Sequence, residues 1–174
     1  TRYSSSAASD VYKRQVQYYR RSQLQKLSLD GKLRTLSRLL RQNLPMAMQG
    51  VGAVIPIYAA FDERDAMGKI FFYDLLGATF ESVDFCTTGS GSSIIRGALY
   101  YLNRWGSTPL AEMDEAAALE LVVKMLETAA EYDTATGGYR ENAHIFPTVM
   151  RVDASGIHSV GEDELEAIFQ GRIA

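Results

Sequence analysis

Cysteine and histidine are scarce in this chain, which has Cys86 alone and two histidines, His144 and His158. No internal disulfide can form, and the histidines show no metal-ligand spacing, so no metal site is expected and a reducing cytoplasm is the natural compartment. Positive charge is not in excess either: 18 basic residues face 21 acidic ones, a formal charge of −3. The basic residues form no long block, which leaves no electrostatic footprint for nucleic acid. Long apolar runs are missing, the longest nearly uncharged stretch being Val51–Phe61, well short of the roughly 20 residues of a spanning helix. No membrane segment is expected. The opening TRYSSSAASDVYKRQ has no apolar core and is not a secretory signal. Neither a G-x-G-x-x-G nor a complete phosphate-binding loop is present, and no cofactor is expected.

What is there fits one domain: 174 residues, 47% of them apolar, enough to bury a sizeable core. Residues 1–15 read as a non-native or disordered tail, because SSAASDVYKRQ resembles adapter sequence translated at the ends of sequencing reads. The folded domain is expected over 16–174.

Hydrophobic periodicity gives the order of elements. Val16–Lys26 reads as a short polar helix ending at Leu29-Asp30-Gly31. In Lys32–Leu44 the residues Leu33, Leu36, Leu39, Leu40 and Leu44 share one face, while Arg34, Arg38 and Arg41 share another that reads as solvated. Pro45 and Gly50 bracket a break. Strands are expected at Val51–Ala60, Lys69–Leu76 and Phe80–Thr87, joined by short turns that favour antiparallel neighbours. Helices follow at Ser92–Arg104 and Asp114–Tyr132, the second with a core stripe of Leu119, Val122, Val123, Leu126 and Ala130. Ile145–Val152 and Ile157–Val160 flank Asp153-Ala154-Ser155-Gly156 as a hairpin, and Glu162–Phe169 is a last helix. This order belongs to an α+β domain with mostly antiparallel sheets, although five strands are few for helices on two sides.

Four local patterns invite chemistry: Gly31-Lys32 leading to Arg41-Gln42-Asn43-Leu44; Gly68-Lys69-Ile70-Phe71 with Tyr73-Asp74; Thr88-Gly89-Ser90-Gly91-Ser92; and Asp133-Thr134-Ala135-Thr136-Gly137-Gly138. Each has an ordinary reading. Gly89–Ser92 could be a strand-to-helix turn with Ser92 as N-cap, or a phosphate-binding nest. Asp133, at a helix end that disfavours negative charge, is either solvated or held by local hydrogen bonds. Thr134 and Thr136 could cap a surface turn.

In this order, across Val16–Phe169, the four patterns resemble the proteasome β family, bacterial branch, whose fold is the four-layer αββα sandwich of N-terminal nucleophile hydrolases. The resemblance implies a threonine endopeptidase whose first mature residue attacks the scissile carbonyl, its own α-amino group serving as base near neutral pH. It places Ser90, Asp133 and Thr136 around that residue, with a threonine at 136 where many relatives have serine. It puts Asp62 at the substrate pocket of a neighbouring subunit, with a solvated loop acid as the plain alternative. Thr1 is not the implied nucleophile, since Gln17 and Leu33 stand where the family's acid and lysine would follow it. The opening strands and the nucleophile have no counterpart before Val16, so 16–174 reads as a partial domain and the chain as given as inactive. The partners implied are a homo-heptameric β ring, proteasome α subunits, an ATPase unfoldase acting through the α ring, and protein or peptide substrates. A non-catalytic ring or assembly subunit is the alternative function, and an unrelated α+β enzyme with a Gly-rich anion site is a third.

Overall fold

The computed structural model describes residues 7–23, 27–82, 84–139 and 145–171. Thr1 and His144 lie outside them. The chain folds as helices α1 (Ala7–Gln23) and α2 (Leu29–Met48), strands β1 (Ile57–Asp62), β2 (Met67–Tyr73) and β3 (Thr79–Ser82), helices α3 (Ser92–Trp105) and α4 (Glu115–Tyr132), strands β4 (Met150–Asp153) and β5 (Gly156–Ser159), and helix α5 (Glu162–Gln170). All strand pairing among the described residues is antiparallel, in one sheet ordered β1-β2-β3 and one β4-β5 hairpin. The α+β class is as expected.

α2 begins at a serine because Ser28 Oγ accepts from Gly31 N at 3.1 Å and satisfies one of the free amides of the first turn. The helix buries Leu33, Leu36 and Leu40 and leaves Arg34, Arg38 and Arg41 exposed, so the basic face is solvated. It runs past the expected stop at Pro45 to Met48. Pro45 lies in the last turn, where its missing N–H forfeits one bond, and Gln49 N closes the end on the Met46 and Ala47 carbonyls.

The leucines of α2 cover one face of the three-stranded sheet, packing on Phe71 and Tyr73 with Tyr58 alongside. Alternation along β2 fixes that face: Phe71 pairs with Tyr58, and Tyr73 pairs with Thr79. Tyr73 is fully buried, and its hydroxyl donates to the Leu33 carbonyl at 3.1 Å. Ser37 Oγ and Thr79 Oγ1 meet at 2.9 Å. The opposite face carries the stacked pair Phe72 and Phe80, with centroids 5.0 Å apart, and Phe80 is exposed there.

Several boundaries fall elsewhere than periodicity placed them: β3 ends at Ser82, not Thr87, and β4 starts at Met150, not Ile145. β1 starts at Ile57, not Val51, because Gly50 and Gly52 have positive φ and Pro56 cannot donate to a ladder. α1 starts at Ala7, nine residues before Val16, and its Tyr12 hydroxyl donates to the Tyr58 hydroxyl at 3.3 Å.

A second core joins α4 to α5. Leu119 and Val123 pack with Val160, Leu165 and Phe169, and Tyr139 stacks on Phe169 at 4.1 Å. Asp114 caps α4 by accepting from Ala117 N at 2.8 Å. Arg151 on β4 pairs with Glu115 at 2.5 Å and also with Glu164, tying the hairpin to both helices. Within the expected α4 stripe Val122 is exposed, and Ala129, not Ala130, is the buried alanine. Among the described residues no helix is long and apolar enough to cross a membrane.

The turn between β2 and β3 is pressed against α2. Gly77 has φ +76°, and a Cβ there would sit 2.6 Å from the Ser37 carbonyl oxygen. Gly77→Ala is therefore expected to destabilise the protein by about 1–3 kcal/mol. Urea unfolding checks this, and a midpoint equal to that of the parent chain would show that the turn relaxes freely.

Candidate active site

The loop after β3 is fastened at one end and turned at the other. Thr88 Oγ1 donates to the Ile55 carbonyl at 2.7 Å, and Gly89 takes φ +96°, a conformation costly for other residues. Gly91 is the N-cap residue of α3 and no side chain caps the helix, so Ser92 is not the N-cap. The Ser90 hydroxyl turns instead toward the end of α4.

There Asp133 is the C-cap residue, its N–H bonded to the Ala129 carbonyl at 2.9 Å. Its Oδ2 accepts from Ser90 Oγ at 2.5 Å and from Thr136 Oγ1 at 2.5 Å, while Oδ1 accepts from Ala135 N at 3.2 Å. Of the two readings of Asp133, the local hydrogen bonds are the correct one. They favour the charged form against the unfavourable end of the helix dipole. The Ser90 hydroxyl foremost, then the Thr136 hydroxyl, hold the Asp133 carboxyl below the usual carboxylate range. Thr134 makes no hydrogen bond through its side chain among the described residues.

Gly91 makes the approach possible. A Cβ on it would lie 3.0 Å from Thr136 Oγ1, 3.1 Å from Ala129 Cβ and 3.3 Å from Asp133 Oδ2. Sequence reasoning grouped Gly91 with the loop and missed this role; the signal is a glycine immediately before a helix, facing a small residue on the next one.

Asp62 stands apart from this cluster, at the end of β1. Its Oδ2 lies 2.9 Å from Lys69 Nζ, its Oδ1 accepts from Arg64 N at 3.0 Å, and Lys69 bonds Asp65 as well. The Lys69 bond lowers the Asp62 carboxyl, and the two aspartates together raise the Lys69 amine. Asp62 borders a cavity of about 290 Å³ beside the start of α2, lined also by Ser28, Asp30, Lys32 and Arg64. The pairing with Lys69 was not anticipated, although Asp65 and Lys69 are four residues apart across a tight turn.

Chemically, the Ser90–Asp133–Thr136 cluster orients and does not attack. Both hydroxyl protons point at the carboxylate, and a carboxylate with a depressed pKa is a weak base toward serine. It can receive an ammonium group or a water on its open side. No three His, Cys, Asp or Glu side chains converge on a metal-sized site among the described residues.

The profile of the proteasome subunit family matches residues 6–145. The chain belongs to the proteasome subunit family. It is 37% identical to "Proteasome subunit beta" of Acidimicrobium ferrooxidans over 158 residues, covering 91% of this chain and 55% of that protein. It is 41% identical to "Proteasome subunit beta 2" of Thermomonospora curvata over 151 residues, 87% of this chain and 51% of the relative. To "Proteasome subunit beta" of Acidothermus cellulolyticus it is 35% identical over 168 residues, 94% and 56% of the two chains. The chain thus spans about half the length of the curated relatives it matches, all of them bacterial β subunits.

The depressed carboxyl gives Asp133 a pH signature. Its pKa is lower folded than unfolded, so its contribution to stability is present above the unfolded value, about 3.9, and is lost as pH falls through the folded value. Thermal unfolding of the parent chain should therefore lose more stability below about pH 4 than that of Asp133→Asn. Parallel melting-temperature profiles for the two proteins would show that the carboxylate is not held by these bonds.

Proposed function

We propose that this chain is part of a β subunit of a bacterial proteasome core particle, working in ATP-dependent protein degradation as an N-terminal threonine endopeptidase. The observation that carries the reading is one carboxylate, Asp133, accepting two hydroxyl hydrogen bonds at the junction of α3 and α4. In this reading the open side of Asp133 receives the α-amino group of a catalytic threonine, and Ser90 and Thr136 hold the carboxylate and a hydrolytic water. The nucleophile comes from residues upstream of Val16 in the native subunit, and the chain as given turns over no peptide. Those upstream residues also supply the strands that complete a four-layer sandwich, with α1 and α2 as one outer layer and α3 to α5 as the other. The apolar sheet face bearing Phe72 and Phe80 is the surface such strands would cover.

Asp62 is the proposed contact to substrate held by a neighbouring subunit, with Lys69 setting its position and charge. The partners are identical subunits in a heptameric ring, α subunits outside it and an ATPase unfoldase acting through the α ring, in the cytoplasm.

Fusing the opening strands of a close bacterial relative before Ala7, so that α1 is kept whole, with a threonine freed at their start, tests the reading. Rings and peptidase activity are expected from the chimera and none from the parent chain, measured on fluorogenic peptides. Asp133→Asn should lower turnover by roughly one to several orders of magnitude. Thr136→Ser should change little, and Thr136→Val, which removes the hydrogen bond at nearly constant shape, should cost more. A ring-forming chimera fully active with asparagine at 133 overturns the site assignment, and rings without activity favour the non-catalytic subunit.

A further inference from the structure

The loop that carries Thr136 is held at both ends, and only one end belongs to the cluster described above. The near end is the Asp133 cap, where Thr136 N donates to the Asp133 carbonyl at 3.0 Å. Beyond Thr136 the chain passes through Gly137 and Gly138 and doubles back along α4, on the face that bears Ala130 and Glu127. A Cβ on Gly138 would lie 3.1 Å from Ala130 Cβ, and 3.7 Å and 3.8 Å from the two carboxylate oxygens of Glu127. Tyr139 N then donates to Glu127 Oε1 at 2.7 Å. Glu127 stands six residues before Asp133, about 9 Å along the helix.

This far end is gripped from two sides. Glu115 and Glu120 of α4 pair with Arg151 and Lys124, whereas the half-buried Glu127 makes no ion pair among the described residues and takes the backbone amide instead. A hydrogen bond to a charged acceptor is roughly twice as strong as a neutral one. The Tyr139 ring stacks on Phe169 of α5 at 4.1 Å with an interplanar angle of 10°, against a core in which Phe169 is almost fully buried. Two glycines in succession impose no conformation of their own. The place of Thr136 is therefore set by what holds the chain on either side of it.

We propose that Glu127 is a positioning residue for the Ser90–Asp133–Thr136 cluster: by holding the Tyr139 amide it closes the 133–139 loop and keeps the Thr136 hydroxyl on Asp133 Oδ2. Its use in catalysis rests on the threonine-endopeptidase reading, and the positioning itself does not. The effect is routed through one bond. Thr136 reaches Asp133 from the loop, while Ser90 reaches it from the start of α3. Releasing Tyr139 thus costs the carboxylate the Thr136 hydroxyl and leaves it the Ser90 hydroxyl. A glutamate that served only to stabilise α4 would leave both bonds as they are.

NMR titration of the Asp133 carboxyl carbon in the full chain tests this. In Glu127→Ala the titration should move up toward the ordinary carboxylate range, because one of the two hydroxyls that favour the charged form is lost. Glu127→Gln keeps a carbonyl acceptor at nearly the same shape, so it should move the titration the same way by less; it carries the test if the alanine variant does not fold. Adding Thr136→Val to either variant should leave the titration where Thr136→Val alone puts it, whereas Ser90→Ala should add its own full effect. In the chimera, Glu127→Ala should lower kcat about tenfold with KM nearly unchanged, the scale of one hydrogen bond. An Asp133 titration that neither variant moves, or effects of Glu127 and Thr136 that simply add, overturns the inference. An inactive chimera with the titration cycle as expected overturns the catalytic reading alone and leaves the positioning in place.

Discussion

Asp133 sits where a helix is least hospitable to negative charge, behind the free carbonyls of the last turn of α4. The charge persists because three donors converge on it, one from the start of α3 and two from the turn that follows α4. The bond from Ser90 spans 43 positions of sequence, and it is the bond that fixes where α3 begins relative to α4. Other features of this half of the molecule follow from that junction. Gly91 packs closely there, since a Cβ on it would press on Thr136 Oγ1 and the Ala129 methyl, which would have to give by a few tenths of an ångström. The antiparallel pairing of α3 with α4 then turns Tyr100, Tyr101 and Trp105 outward.

The junction needs a fixed frame, and the second core supplies it. Val123 is fully buried and Leu165 and Phe169 nearly so, which anchors α4 to α5 through apolar packing. Arg151 adds a polar clamp by bonding glutamates on both helices. These surface pairs contribute little energy individually, since exposed ion pairs are screened by water. Their effect is directional: the β4–β5 hairpin is aligned with the helices it touches. The Phe71–Tyr73 core under α2 is a separate cluster, so the Asp133 junction and the Asp62–Lys69 pair rest on different packing units.

Periodicity made α4, α5 and the last hairpin legible, because their apolar spacing and turn residues agree. Gly156, with φ +139°, stands where the Asp153–Gly156 turn needs a left-handed residue. Where the reading slipped, one local signal had been given more weight than its position justified. Pro45 reads as a stop but falls in a final turn, where little is lost. Val51–Pro56 has strand composition, yet Gly50, Gly52 and Pro56 make the backbone turn before Ile57 can pair. α1 has too few apolar residues for a stripe, and it is held by contacts such as Tyr12 edge-on to Tyr58, with ring centroids 6.1 Å apart, and Gln15 accepting from Arg38 Nη2 at 3.3 Å. Such a contact is made by tertiary structure and leaves no period in the sequence.

The site was legible only in part, for a related reason. Ser90, Asp133 and Thr136 were singled out by the resemblance, but their convergence depends on the antiparallel docking of two helices, which spacing alone does not give. Asp62 was singled out in the same way, whereas Lys69 stood only within the Gly68-Lys69-Ile70-Phe71 pattern, and it is the β1–β2 register that places it beside Asp62. The unforeseen partner changes what Asp62 can do. A carboxylate already bonded to an ammonium group presents much less net charge than a free one, so the field at this turn belongs to the Asp62–Lys69–Asp65 group as a whole. A substitution at Lys69 would release two carboxylates at once and reverse the local field. The strand residue is in this way as much a determinant of the pocket as the acid that lines it.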